Sequence, residues 1–220
     1  MLFRRKIYDK FLTWKKETGG KKALLVEGAR RIGKSTVVEE FAKNEYRSYI
    51  LIDFARATET VKEYFLEHLN DLDTFFMLLS VEYGVTLYPR ESIIVFDEVQ
   101  MFPKAREAIK YLVADGRYDY IETGSLISIK ENVKDIVIPS EERHIKMYPL
   151  DFEEFCWALQ EEPLVGYIRS CFDKREPLER SLHNKAMLLW GQYLLVGGMP
   201  MSVVAFLEGH KDFGKADQEK

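Results

Sequence analysis

Cysteine and histidine are scarce in this sequence, and neither residue type forms the clusters that bind metal ions. The few that occur are Cys156, Cys171, His68, His144, His183 and His210. Zinc sites usually show short Cys or His spacings such as HExxH, and secreted disulfide scaffolds need several paired cysteines. The sequence therefore gives no indication of a zinc site or a disulfide framework, and a reducing compartment fits it best.

Long apolar runs are also missing. No stretch approaches the ~18 apolar residues of a membrane-spanning helix, and the amino terminus has charges where a signal peptide has its apolar segment. We therefore expect a cytoplasmic protein without a membrane contact. At 46% hydrophobic and 13% aromatic residues, the chain of 220 residues can bury a core of ordinary size. One α/β domain with an appendage is the expected organisation.

Positive charge is concentrated at one end of a chain whose formal net charge is -4. Residues 1–22 contain eight basic side chains against Asp9 and Glu17, which leaves this segment at +6. Phe3, Ile7 and Phe11 recur there at helical spacing, so the segment is predicted to be a basic amphipathic helix. Such a helix can make weak, non-specific contact with nucleic acid, and the alternative is a solvated helix face.

Strand and helix patterns alternate from residue 23 onwards. Short apolar runs, which are typical of buried strands, occupy 23–27, 48–53, 92–96, 118–123 and 143–148. This alternation predicts a three-layer α/β/α core over 23–150 with a mainly parallel five-stranded sheet. A helical extension is then predicted over 151–220. Its first helix begins after Leu150 with a capping pattern, in which Asp151 is followed three residues later by Glu154.

A glycine-rich segment follows the first predicted strand and precedes a helical pattern. It reads GARRIGKS and matches GxxxxGK[ST], the loop whose backbone N–H groups surround a phosphate chain in P-loop NTPases. Lys34 is expected to reach the β- and γ-phosphates, and Ser35 to bind Mg²⁺. The predicted cofactors are therefore ATP and Mg²⁺. The predicted phosphate-binding residues are Gly28, Ala29, Arg30, Arg31, Ile32, Gly33, Lys34, Ser35 and Thr36.

Two adjacent acids end the third predicted strand, in the string IIVFDE. In P-loop proteins an acid at this position holds Mg²⁺, and we assign that role to Asp97. Glu98 points to the opposite face if the strand continues, and it could then polarise the attacking water as a general base. The alternative is that Glu98 is a surface acid at a strand end.

At this point the sequence resembles a known family. Over most of its length the chain contains strings similar to those of predicted archaeal and bacterial AAA-type ATPases. These strings are GARRIGKST, IIVFDEVQ, IETGSL, YPLDFEEF and YLLVGGMP. The resemblance implies that the strand ending in Thr123 lies between the phosphate-loop strand and the Asp97 strand. A preference for ATP over GTP is expected from the resemblance and from the absence of an NKxD-type guanine motif.

The resemblance also implies further site residues. Thr123, Gly124 and Ser125 would lie near the γ-phosphate, where a hydroxyl would resemble the polar sensor of AAA-type enzymes, and of the two hydroxyls we favour that of Ser125. Arg143 looks like the family's arginine before the last strand, and it could contact phosphate or act as an arginine finger across a subunit boundary. Self-association is therefore an expected partner interaction, although an exposed structural arginine is the alternative.

One departure from the family concerns the far end of the chain. Family members commonly have a further C-terminal domain of unknown function, whose fold is thought to resemble nucleases. This sequence stops soon after Pro200, so we expect that domain to be absent here.

The expected function is ATP hydrolysis that drives a conformational change. Two alternatives stay open: a nucleotide-dependent switch or binding module with little hydrolysis, and a small-molecule kinase. The pair of acids at Asp97 and Glu98 favours the hydrolase, because kinases with this loop generally use a substrate acid and a mobile lid instead.

Overall fold

The computed structural model describes residues 2–125 and 140–209. These residues form two compact units. The larger unit spans Ile7–Met147, and the smaller one combines residues 2–6 with residues 148–209. The separate segments 1–22, 23–150 and 151–220 stay a prediction about domain organisation.

The larger unit contains a five-stranded sheet in which every pair of neighbouring strands is parallel, in the order β2-β3-β4-β1-β5. The predicted α/β fold is confirmed, and the sheet is wholly rather than mainly parallel. The implied position of β4 between β1 and β3 is also found. Its elements are α1 (Ile7–Thr18), β1 (Ala23–Gly28), α2 (Lys34–Glu45), β2 (Ser48–Asp53), α3 (Glu59–Glu67), α4 (Leu72–Tyr83), β3 (Ser92–Asp97), a 3₁₀ turn (Val99–Met101), α5 (Pro103–Asp115), β4 (Asp119–Ser125) and β5 (Glu142–Lys146).

Helices cover both faces of this sheet, because its strands are apolar on both sides. On one face α3, α4 and α5 pack over Leu25, Ile94 and Tyr120. On the other face α2 contacts β2, β3 and β4, and the ring of Phe41 in α2 lies 5.4 Å from that of Phe11 in α1. The amphipathic helix at the amino terminus begins at Ile7, so Phe3 lies outside it.

A group of buried charged side chains lies on the α5 face of the sheet. The guanidinium of Arg106 in α5 donates two hydrogen bonds to the carboxylate of Glu142 in β5, at 3.0 and 2.7 Å. Glu122 in β4 is fully buried nearby. Burial first, and then the charge of Glu142, raises the pKa of Glu122 well above its ordinary value of 4.5, and Arg106 opposes this rise.

This raised pKa predicts how stability depends on pH. The folded protein keeps the Glu122 proton above pH 4.5 while the unfolded chain loses it, so the unfolding free energy falls as pH rises through this window. The slope is at most about 1.4 kcal/mol per pH unit. We expect Glu122→Gln to reduce this slope, as measured by thermal unfolding between pH 5 and pH 9. The control is Glu63→Gln, because Glu63 is exposed. If the unfolding free energy of Glu122→Gln depends on pH as steeply as that of this control, the prediction is contradicted.

The smaller unit consists of helices α6 (Phe152–Ala158), α7 (Glu162–Lys174), α8 (Arg180–Val196) and α9 (Pro200–Glu208). The predicted capping of α6 is confirmed, because the Asp151 side chain accepts from the Glu154 N–H and the Glu154 side chain accepts from the Asp151 N–H. Leu150 and Phe155 share one buried cluster. Among the described residues no single helix is long and apolar enough to span a membrane. Helices α8 and α9 together reach that length and composition, but a 118° bend separates them.

The amino-terminal residues 2–6 belong to this smaller unit through charge pairing. Glu154 accepts a hydrogen bond from the backbone N–H of Lys6 at 2.7 Å, and one of its oxygens lies 3.2 Å from Nε of Arg5. Lys6 Nζ also contacts the Asp151 carboxylate at 2.6 Å. Arg4 pairs with Glu162 at 2.9 Å. Three of the eight basic side chains that precede β1 are therefore paired with acids.

Candidate functional site

The GxxxxGK[ST] segment forms the loop between β1 and α2, at the carboxyl end of the sheet. Arg31 and Gly33 adopt left-handed backbone conformations, with φ of 63° and 88°. Gly28 allows a close approach, because a Cβ there would lie 2.5 Å from the carbonyl oxygen of Met147. Gly33 adopts this conformation readily because it has no Cβ, whereas Arg31 adopts it as a non-glycine residue, and loops of this kind typically present successive N–H groups to an anion.

Lys34 begins α2 and is buried beneath the loop. Its ammonium donates to the carbonyl oxygens of Ala29 at 2.8 Å and Gly28 at 3.4 Å. Burial lowers the pKa of Lys34, the charges of Glu98 and Asp97 oppose that change, and Arg30 adds to it. A desolvated cation held beneath the loop is suited to bind an anion.

Asp97, the last residue of β3, is buried at the carboxyl end of the sheet and accepts two hydroxyl hydrogen bonds. Its Oδ1 accepts from Ser35 Oγ at 2.8 Å and from the hydroxyl of Thr123 in β4. Burial raises the pKa of Asp97, and these two hydrogen bonds oppose the rise. The structure therefore brings Ser35 and Asp97 together, although they are 62 positions apart in the sequence.

Glu98 does not continue the strand, which differs from the expectation. Its backbone is left-handed, with φ of 53° and ψ of 45°, and it precedes the 3₁₀ turn Val99–Met101. The Glu98 N–H donates to Thr123 Oγ1 at 3.2 Å, and the side-chain amide of Gln100 donates to Glu98 Oε2. The half-buried carboxylate is thus directed by a turn rather than by strand alternation.

The hydroxyls of β4 are placed differently from one another. Ser125 is buried and pairs in register with Gly28 at the start of the loop. Thr123, two residues earlier on the same face of the strand, contacts Asp97. The sequence interpretation left the sensor open between these two hydroxyls and favoured Ser125, which stays a prediction, and it missed the contact of Thr123 with Asp97. The signal for it was the position of β4 beside β3 in the implied strand order.

The arginines of the predicted site are dispersed. Arg30 and Arg31 are exposed on the loop, and Thr36 is exposed in the first turn of α2. Arg143 lies in β5 opposite Leu24, four positions before Gly28 along β1 and so ~13 Å away along the strand direction. Its guanidinium pairs with Glu17 at 2.6 Å. The structure does not bring Arg143 to the loop of its own chain, and a role across a subunit boundary stays a prediction.

The side chains around Asp97 suit a magnesium nucleotide. Mg²⁺ prefers oxygen ligands from carboxylates and hydroxyls together with phosphate oxygens, and Ser35 and Asp97 present such atoms within 2.8 Å of each other. Lys34 and the loop N–H groups supply donors for phosphate oxygens. Among the described residues no cluster of three or more His, Cys, Asp or Glu side chains could hold a metal ion by itself.

This sheet order, with a GxxxxGK[ST] loop between β1 and α2 and an acid at the end of β3, defines a P-loop domain of the NTPase class. A family model described as "AAA domain" matches residues 20–156. The chain belongs to this AAA domain family of P-loop proteins. No curated protein matches the chain.

Three solved structures to which the chain is similar come from archaea. The Walker-type ATPase of Pyrococcus abyssi superposes with a TM-score of 0.50 at 18% identity, covering 99% of this chain and 71% of that one. A signal transduction ATPase with numerous domains, which has a tetratricopeptide repeat sensor and comes from Pyrococcus horikoshii, gives 0.49 at 15%, covering 99% and 32%. The ORC1 protein of Aeropyrum pernix, solved in complex with DNA, gives 0.46 at 11%, covering 94% and 72%. The first of these likenesses supports the fold alone.

Proposed function

We propose that this protein is an ATP hydrolase that binds ATP with Mg²⁺, cleaves it to ADP and phosphate, and uses the cycle to drive a conformational change. The observation that supports this most directly is the convergence of Lys34, Ser35 and Asp97 beneath one phosphate-binding loop, with Glu98 immediately beside them. A binding module needs only the loop and the lysine. The additional acid next to the metal-binding acid is what a hydrolase requires.

Each residue has a separate task in this proposal. Lys34 and the loop N–H groups bind the phosphates and offset their negative charge. Ser35 and Asp97 would hold Mg²⁺, which supplies a positive charge that neutralises the phosphate oxygens. Thr123 keeps the Asp97 carboxylate in place by its hydrogen bond.

Glu98 acts on water in the chemical step. Its carboxylate accepts a proton from a water molecule as the water oxygen bonds to the γ-phosphorus and the bond from that phosphorus to the bridging oxygen breaks. ADP is the leaving group, and inorganic phosphate is the second product. Because Glu98 is an acid whose position is fixed by hydrogen bonds on its backbone and its side chain, little reorganisation is needed for this transfer.

Phosphate release tests the proposal. We expect the full chain to release phosphate from ATP in the presence of Mg²⁺ without any added acceptor, and to do so less readily from GTP. Lys34→Ala prepared in parallel measures any contaminating ATPase. Release that depends on an added acceptor would indicate a kinase, and nucleotide binding without release would indicate a switch; either result contradicts the proposed hydrolase.

Weak nucleic-acid binding through the basic amino-terminal region is a further expectation. The exposed lysines available for it are Lys10, Lys16, Lys21 and Lys22, since Arg4, Arg5 and Lys6 have acidic partners. We expect affinity for DNA to fall steeply with salt, with a slope that decreases by about 0.9 for each phosphate contact removed. Fluorescence anisotropy at several salt concentrations measures this slope.

The matched comparison uses two triple variants with equal loss of charge. K10Q/K16Q/K21Q removes lysines from the basic region, and K43Q/K104Q/K110Q removes exposed lysines elsewhere in the same unit. We expect only the first to reduce the affinity and the salt slope. Equal effects of both variants, or affinity that does not change with salt, would show that this region is not the contact.

A further inference from the structure

We propose that Gln100 is a positioning residue for Glu98, and that its side-chain amide sets the direction of the carboxylate that activates water. The inference rests on the proposed hydrolase function and deepens it. The observation is the hydrogen bond from Gln100 Nε2 to Glu98 Oε2, two residues away within the turn that follows β3. Nothing in the motif that identifies Asp97 and Glu98 assigns a role to this glutamine.

The backbone explains why the two side chains meet. The strand ends at Asp97, and Glu98 takes a left-handed conformation that a glutamate adopts only when its surroundings require it. The 3₁₀ turn then begins, with the N–H of Met101 donating to the Glu98 carbonyl oxygen at 2.9 Å. This tight turn brings residue 100 back beside residue 98, where a straight strand would separate them by about 7 Å.

The Glu98 backbone is fixed independently of Gln100. Its N–H donates to Thr123 Oγ1 at 3.2 Å, and the Thr123 hydroxyl donates to Asp97. Only the side-chain torsions of Glu98 are left to be determined. A glutamate with free torsions would spend much of its time in rotamers that do not face the attacking water, and restricting them requires a contact with the carboxylate itself.

The chemistry of an amide suits this contact. Gln100 is only 8% exposed, so the packing around it restrains its own side chain. Its N–H group holds one carboxylate oxygen of Glu98 and leaves the other to accept the proton of water. A lysine or arginine in its place would hold the carboxylate as well, but its positive charge would make Glu98 a weaker base. A neutral donor fixes direction without that loss.

The test compares Gln100→Met, which keeps a similar length and removes the donor, with the wild-type full chain. We expect kcat for ATP hydrolysis to fall about 10–100-fold, since small misplacement of a catalytic group has effects of this size. KM is expected to stay within about threefold, because Gln100 does not contact nucleotide. In the Glu98→Gln background the same change should have no further effect in single-turnover measurements, because Gln100 acts through Glu98.

Several outcomes would overturn the inference. An unchanged or increased kcat in Gln100→Met contradicts positioning, and so does an equal loss in the Glu98→Gln background. If Gln100→Met unfolds at a lower temperature than the assay, Gln100→Glu replaces it: full activity with that like charge beside Glu98 would also contradict the inference. If the wild type hydrolyses ATP normally while Gln100→Met gives one of these results, only the role of Gln100 is contradicted and the proposed function stands. If the wild type releases phosphate no faster than Glu98→Gln, both the role of Gln100 and the proposed function are overturned.

Discussion

Glu98→Gln is expected to bind ATP with Mg²⁺ about as well as wild type and to release phosphate about 10²–10⁴ times more slowly. Glutamine has the size of glutamate but cannot accept the proton of the attacking water. Asp97 and Ser35, which we assign to the metal ion, are unchanged in this variant. The loss should therefore appear in kcat and not in nucleotide affinity, as expected for an interaction made only in the transition state.

The experiment pairs phosphate-release kinetics with calorimetric titration of a non-hydrolysed ATP analogue. Glu91→Gln is the matched control, because Glu91 immediately precedes the same strand at its opposite end and is exposed. We expect that control to have wild-type kinetics. If Glu98→Gln hydrolyses ATP at the wild-type rate, Glu98 is a structural acid that ends β3, and the base must be sought elsewhere.

Lys34→Ala is expected to abolish tight ATP binding. The Lys34 ammonium is buried under the loop, where removing one member of a buried charged contact has a cost of about 2–5 kcal/mol. That range corresponds to an affinity lower by about 30-fold to several thousand-fold. Arg30 and Arg31 also lie on the loop, but both are exposed, so neither occupies the buried position of the Lys34 ammonium.

Calorimetric titration with ATP and Mg²⁺ measures this loss, and thermal unfolding without nucleotide shows whether the variant is folded. Lys43→Ala serves as the control, because Lys43 lies on the same helix but is exposed and pairs with Glu39 at 2.7 Å. Near wild-type affinity in Lys34→Ala would mean that the loop does not hold the phosphates in the assumed way.

The phosphate loop and the Asp97 strand were predictable because their signals are local. A buried strand, a glycine loop and a helix follow one another along the chain, and each element depends mainly on its own residues. The parallel pairing of β4 between β1 and β3 came from the family resemblance, because strand order depends on contacts between residues far apart in sequence. The fifth strand was predicted over 143–148 and is found at Glu142–Lys146.

The details of the site were less predictable because they depend on tertiary contacts. The left-handed turn at Glu98 has no glycine to signal it, so the strand alternation on which the sequence interpretation depended does not apply there. The contact of Thr123 with Asp97 depends on a side-chain distance that no spacing rule provides, and the choice of Ser125 as the sensor of the γ-phosphate stays a prediction. Arg143 could be placed only once the register of β5 against β1 was known.

The amino-terminal contacts of Glu154 have a consequence for biosynthesis. Lys6 leaves the ribosome early, but the carboxylate that receives its N–H lies 148 positions later. At ~5–20 residues per second, residues 2–6 remain without these partners for roughly 7–30 s. Within that interval the whole of Ile7–Met147 is synthesised. The sheet with its phosphate loop can therefore assemble before the smaller unit is complete. The smaller unit forms later, because it needs the contact between Lys6 and Glu154.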